Sequence, residues 1–202
     1  MVARRLLLVG DSHVVGLAPT LKPLVSAVGW DFRAHSDQGK DLRFFGQPPI
    51  LDDLMSDYKP HLVVIVLGTN PSGAYPEKSS ARYHQQIADV LHKVKSAKVV
   101  WVGPPTILAN AEDEASAVVR TYLLGQHGDM KFLNGREQTK DLNAYRTPDG
   151  FHFTAKGYEL WGQRIFTGLQ TSLAQFSSWK TWISLLSLAG LVVAGVLFWR
   201  RG

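Results

Sequence analysis

The chain has 202 residues, of which 45% are hydrophobic and 19% charged, the proportions of a folded domain rather than a disordered one. It contains no cysteine, which excludes disulfides, thiolate zinc sites and cysteine nucleophiles. The formal net charge is +5, and Lys180, Arg200 and Arg201 carry three of those charges; with no run of Lys and Arg among aromatics in the body of the chain, nucleic acid is not an expected partner.

The opening "MVARRLLLVG" has a basic start, but its apolar run from Leu6 to Val9 breaks at Gly10-Asp11. A secretory signal needs about 7–15 apolar residues, so this reads as a first strand buried on both faces. Val14 to Val28 has a helical period through Val14, Leu17, Leu21, Leu24, Val25 and Val28, with Pro19 and Pro23 expected to weaken or kink it. Trp30 to His35 reads as a second strand and Leu62 to Leu67 as a third. Residues 79–96 pattern as a helix with Ile87, Val90, Leu91 and Val94 on one face, followed by a fourth strand, Val99 to Val102. Residues 112–124 pattern as a helix, "MKFLN" as a fifth strand, and 71–80 and 134–150 as loops. Thr154 to Phe176 reads as a last amphipathic helix with Tyr158, Trp161, Ile165, Leu169 and Leu173 as its core stripe. Strands alternating with helices imply an α/β fold with a parallel sheet covered on both faces. Such sheets bind ligands outside the carboxyl ends of their strands, so functional residues are expected directly after strands.

The tail is of another kind. Thr181 to Trp199 holds no charged residue over 19 positions, about 28 Å of helix against a hydrocarbon core of about 30 Å. Trp179 and Trp182 stand at one end, Trp199, Arg200 and Arg201 at the other, as interfacial anchors do. The expected organisation is a domain over residues 1–178 and a single-pass anchor over 179–202, with a lipid bilayer as partner of 181–199. Gly190 and Ala194 form a small-xxx-small pair suited to helix–helix self-association. Orientation stays open: Arg200 and Arg201 favour an internal C-terminus, while Lys180 and the lack of an export signal favour an internal domain. A buried core helix, or the oligomer core of a larger assembly, is the competing reading of this segment.

Acyl transfer by a serine needs an exposed hydroxyl, a histidine base, a carboxylate to orient it, and donors for the oxyanion. Ser12 stands where the first strand passes into a helix, whose positive end can face developing negative charge. In "DGFH", Asp149 precedes His152 by three residues, a spacing at which a carboxylate can reach back to one ring nitrogen. Each signal alone has a plainer reading: Gly-Asp-Ser as a helix cap, Asp149-Gly150 as a turn. His13 adjoins Ser12 but suits local packing better than the role of base. His35, His61, His84, His92 and His127 show no metal-ligand spacing and read as structural.

Taken together and in order, Gly10-Asp11-Ser12 after the first strand, Gly68-Thr69-Asn70 after the central strand, and Asp149 with His152 before the closing helix resemble the SGNH, or GDSL-like, hydrolase superfamily. Gly39 in "SDQGKDL" is the candidate for the family's second block, and the resemblance covers about residues 4–175. It implies a three-layer flavodoxin-like fold with a central five-stranded sheet and ester hydrolysis without cofactor or metal. Ser12 would be nucleophile, His152 base and Asp149 its orienter. The backbone N–H groups of Ser12 and Gly39 and the Asn70 amide would form the oxyanion hole. His13, where the family often has leucine, and Pro71, where it often has aspartate, depart from the pattern and leave the substrate subgroup open. The expected activity is a membrane-tethered esterase acting on short acyl, acetyl-type esters of a carbohydrate or cell-envelope polymer. A lysophospholipase or thioesterase of the same family, or a non-catalytic module of this fold in a membrane or viral assembly, are the alternatives.

Overall fold

The computed structural model describes residues 3–71 and 80–175. Its strands are β1 (Arg4–Gly10), β2 (Trp30–Ser36), β3 (Leu62–Val66), β4 (Lys98–Val102) and β5 (Lys131–Leu133). Its α-helices are α1 (His13–Ala27), α2 (Leu42–Gly46), α3 (Ile50–Tyr58), α4 (Ser80–Val94), α5 (Ala111–Gly125), α6 (Gly135–Thr139) and α7 (Ala155–Ala174). All strand pairings are parallel, in the order β2-β1-β3-β4-β5, the flavodoxin-like order. The expected α/β class and five-stranded parallel sheet are therefore present.

The register sets the carboxyl ends level: Gly10 pairs with both Ser36 and Val66, Val66 with Val102, and Val102 with Leu133. Every loop leaving this edge opens on the same side. Between β1 and β3 the chain direction of the connections reverses, the place where such sheets hold ligands.

Side chains alternate between the two faces of the sheet. Leu7, Val9, Val63, Ile65 and Trp101 belong to one buried cluster with Leu42 and Phe45 of α2, Leu51 and Met55 of α3, Ile87 and Val90 of α4, and Leu124 of α5. Their neighbours Leu6, Leu8, Val64, Val66, Val100 and Val102 are buried as well and so face a second layer of helix. There α1 runs along β1 and β2, with Gly16 against the Tyr158 ring and Thr20 against Gly162. Burial on both faces is why β1 and β3 read as unbroken apolar runs.

Three local expectations need correction. Two helices, α2 and α3, lie between β2 and β3, where the sequence pattern assigns none; at five and nine residues they are too short to display a period. Asp41 caps α2 by accepting from the Phe44 N–H, and α3 buries Leu51, Met55 and Tyr58 along one side. The segment 134–150 is not loop throughout: Asn134 accepts from the Arg136 and Glu137 N–H groups and starts α6, and a 3-10 turn spans Asn143–Tyr145. Finally, α1 runs through Pro19 and Pro23. Both are exposed, so the carbonyls left without a helical donor face water.

Chain contacts group Met1–Phe166 in one compact unit and Thr167–Gly202 in a second. Of the second unit, the described residues complete α7 and end at Gln175. The expected core stripe of α7, Tyr158, Trp161, Ile165, Leu169 and Leu173, is buried throughout. The boundary expected at 178, the 181–199 segment with Gly190 and Ala194, and most of the 71–80 loop lie outside the described residues. Among the described residues no helix is long and apolar enough to cross a membrane.

Candidate active site

Ser12 occupies the N-cap position of α1, yet its hydroxyl does not cap the helix. Asp11 does that work: its Oδ1 accepts from the His13 N–H at 3.0 Å, and its backbone carbonyl accepts from the Val14 N–H. The Ser12 side chain is free to turn outward, and Oγ lies 2.7 Å from His152 Nε2. The Ser12 N–H meets no acceptor among the described residues. It stands at the positive end of a 15-residue helix with no acidic residue in its first turn, an arrangement that favours an anion.

Behind His152, Nδ1 lies 2.6 Å from Asp149 Oδ2. The other carboxylate oxygen accepts from Thr147 Oγ1 at 2.8 Å, Phe151 N–H at 2.9 Å and His152 N–H at 3.0 Å. Desolvation opposes ionisation of Asp149, but these donors and the His152 ring outweigh it and hold its carboxyl well below the usual carboxylate range. Because Asp149 remains acceptor-only, it fixes the proton on His152 Nδ1 and leaves Nε2 to accept from the serine. The side chains of His152 and Asp149 are 38% and 47% exposed, so solvent reaches the acid–base pair.

The turn carrying this pair is braced from the loop after β4. Gly150 C=O accepts from the Leu108 N–H at 2.9 Å. Gly150 has φ +73, and a Cβ there would stand 2.4 Å from Ala109 N, so glycine is required on both counts. Arg146 donates to Phe151 O at 2.7 Å and to Thr106 Oγ1 at 2.7 Å, and also to Thr106 O. Its guanidinium stacks 3.6 Å over the Phe153 ring, and burial lowers its pKa to about 10. Glu114 of α5 holds the same loop, accepting from the Ile107 N–H at 2.6 Å and from the Arg136 guanidinium.

Gly39 and Asn70 follow β2 and β3, and the structure brings their segments together: Asn70 Nδ2 donates to Lys40 O at 3.0 Å. A carboxamide nitrogen carries two hydrogens, so this bond fixes the amide and leaves the second hydrogen available. No hydrogen bond joins either residue to the triad among the described residues. Arg120 of α5, 1% exposed, donates to Gly68 O at 2.6 Å and Thr69 O at 3.1 Å, gripping the turn that presents Asn70.

His13 lies fully buried, its Nδ1 3.0 Å from Tyr158 Oη and its ring 5.3 Å from that of His152. Burial, then the neighbouring charges of His152 and Arg146, push its pKa down to about 3, so it is a neutral packing residue. Asp11 is also fully buried, and desolvation pushes its carboxyl up to about 7 against the pull of the His13 N–H. The remaining histidines lie elsewhere: His61 accepts from the Arg5 N–H, His35 faces Asp37, His84 pairs with His127, and His92 lies beside Lys95. Among the described residues no group of three or more His, Asp or Glu could hold a metal. A cavity of about 390 Å³ between α5, β5 and α6 is lined by Tyr122, Phe132 and Arg136 among others and shares no residue with Ser12, Asp149 or His152.

Sequence reasoning did not single out Arg120, Arg146 or Glu114. Arg120 carries a readable signal, since it falls between Ala117 and Leu124 at the helical spacing of a buried stripe. Arg146 reaches Thr106 across 40 residues and Glu114 reaches Arg136 across 22, and no local pattern marks those contacts.

Known proteins share this framework. The Protein BcsX of Komagataeibacter xylinus is 22% identical over 139 residues, 66% of this chain and 51% of that protein, so the chain spans about half the length of this curated relative. The crystal structure of the lipase/acylhydrolase from Enterococcus faecalis superposes with a TM-score of 0.65 at 19% identity, covering 84% of this chain and 96% of that one. A carbohydrate esterase family 3 structure from Talaromyces cellulolyticus gives 0.63 at 16% identity, covering 86% and 100%. At these identities the likeness is one of fold. The sequence itself matches the model of the GDSL-like Lipase/Acylhydrolase family over residues 6–165, a span running from the first strand through the Ser12 turn to the helix after His152, and the chain is a member of that family of serine ester hydrolases.

Proposed function

We propose that the protein hydrolyses short acyl esters, acetyl esters above all, carried on a carbohydrate or cell-envelope polymer. The observation that carries this is the unbroken line from Ser12 Oγ to His152 Nε2 at 2.7 Å and from His152 Nδ1 to Asp149 Oδ2 at 2.6 Å. Ser12 is the nucleophile. As Oγ attacks the ester carbonyl, its proton passes to His152 Nε2, and Asp149 stabilises the imidazolium. On this reading the carbonyl oxygen becomes an oxyanion that the Ser12 N–H, the Gly39 N–H and the Asn70 amide stabilise, a charge that appears only in the transition state. Collapse returns the proton to the departing alcohol and leaves the acyl group on Ser12. A water then gives its proton to His152, attacks the acyl-enzyme and releases the acid.

The exposure of His152 and Asp149 supports a bulky alcohol, because a polymer can approach an acid–base pair that is open to solvent. The likeness in fold to the carbohydrate esterase from Talaromyces cellulolyticus points the same way. The apolar 181–199 segment supports tethering of the domain to a bilayer.

The test is the hydrolysis of p-nitrophenyl acetate, butyrate and octanoate by the full chain beside Ser12→Ala. The expected result is a rate on acetate that falls by about 10³-fold or more in the variant, with acetate preferred over octanoate. Equal rates for the two proteins overturn the enzyme assignment; a preference for octanoate overturns the short-acyl one. Extraction of the full chain from membranes by carbonate, rather than by detergent alone, overturns the tether.

A further inference from the structure

Arg120 stands apart from the triad, and the mechanism above does not use it. It projects from the middle of α5 and is 1% exposed. Burying a guanidinium is expensive unless its donors are met, and here they are met by the backbone of one turn: Nε donates to Gly68 O at 2.6 Å and Nη2 to Thr69 O at 3.1 Å, while Nη1 donates to Ser116 Oγ at 2.7 Å. The planar fork fixes the directions of two successive carbonyls at once, which an ammonium cannot do.

The turn it grips depends on glycine. Gly68 has φ +121, and a Cβ placed on it would lie 3.1 Å from Pro104 and 3.3 Å from Leu124. Carbonyls in such a turn, buried at the carboxyl end of β3, need donors that no strand or helix ladder supplies. On the far side the same turn meets the catalytic region: Thr69 lies beside the Asp11 carboxyl, and Asn70 reaches Lys40 O. The Asn70 amide is therefore held at its base by α5 and at its tip by the loop after β2.

We infer that Arg120 is a positioning residue for ester hydrolysis, pre-forming the oxyanion donor of Asn70 by clamping the Gly68 and Thr69 carbonyls; this rests on the assignment of Ser12 and Asn70 above. A rigid donor costs no reorganisation when the oxyanion forms, whereas a loose one must be ordered at the moment of reaction. The loss on releasing the clamp thus falls on kcat, with KM nearly unchanged.

The experiment is a double-mutant cycle in the full chain, Arg120→Met and Arg120→Lys each combined with Asn70→Ala. The measurements are kcat and KM on p-nitrophenyl acetate, scaled to the folded fraction by titration of Ser12 with a fluorophosphonate. Asn70→Ala alone is expected to lower kcat by about 10²–10³-fold. Arg120→Met is expected to lower it by about 10–100-fold with KM within about twofold, and by less than about threefold once Asn70 is already alanine. Arg120→Lys keeps the charge but reaches one carbonyl, so it falls between the two and serves if the methionine variant does not fold. Equal fold-losses in both backgrounds, or a Lys variant at full kcat, overturn the inference. Ser12→Ala turning over like the parent overturns instead the reading on which it rests.

Discussion

Replacing Gly150 by alanine measures how firmly the turn bearing Asp149 and His152 is braced. Gly150 has φ +73, and the added Cβ would stand 2.4 Å from Ala109 N, 2.6 Å from Ala109 Cα and 2.8 Å from Leu108 C. Two costs follow. A side chain in left-handed backbone costs about 1 kcal/mol. Overlap with three backbone atoms, which yield less easily than side chains, adds about 1–3 kcal/mol. Gly29 isolates the first cost, since it has φ +80 with nothing within 4 Å of its would-be Cβ. In a protein of this size each kcal/mol moves Tm by about 2–4 °C, so Gly29→Ala melts about 2–4 °C low, and Gly150→Ala at least about twice as far. Relief of the overlap also breaks the Leu108 N–H bond to Gly150 O, 2.9 Å long, and shifts His152 two residues on. A displacement of about 1 Å costs about 10²-fold in rate. Thermal melts and p-nitrophenyl acetate turnover at 25 °C, on both variants, check this. A Gly150→Ala protein that melts with Gly29→Ala and turns over at the parent rate would refute the brace.

Two further predictions concern the buried groups flanking Ser12. His13→Leu keeps kcat within about tenfold, since His13 is not the base, and loses about 1–3 kcal/mol as the Tyr158 hydroxyl loses its bond to His13 Nδ1; a loss of about 10³-fold in kcat would restore His13 as a candidate base. With a folded pKa near 3 against about 6.5 unfolded, His13 takes up a proton on unfolding, so stability is held above about pH 6.5 and lost as pH falls; the leucine variant shows a flatter Tm profile from about pH 6 to 4. Asp11 has the opposite sign. Its folded pKa near 7 lies above the unfolded value of about 4, so its share of stability is full below about pH 4 and lost as pH rises through 7. Asp11→Asn retains an acceptor for the His13 N–H and flattens the fall in Tm between about pH 5 and 8; an unchanged slope in melts across that range contradicts the assignment.

The parts of this molecule that show in the sequence are those whose cause is local. Strands buried on both faces appear as runs such as Leu6 to Val9, and the Asp149–His152 pair lies within one turn. The helices α2 and α3 escape because five and nine residues carry too little period. The site's supports escape for another reason. Arg146 acts on Thr106 and Arg120 on Gly68, at separations of 40 and 52 residues, and only the sheet register brings them near. In sequence Ser12 suits either nucleophile or cap, and its neighbour decides the matter: Asp11 takes the capping bond, so the serine hydroxyl is spent elsewhere.

That separation in the chain has a temporal counterpart. Asp149 and His152 form their contact within four residues, whereas Ser12 meets His152 across 140. Closing a short turn takes well under a microsecond, while long-range pairing waits for the sheet to assemble. The acid–base half of the site is therefore available early during refolding, and the nucleophile is armed only when the first and last thirds of the unit meet. Reactivity of Ser12 toward a fluorophosphonate then serves as a clock for the final closure of the fold, lagging behind recovery of helical signal.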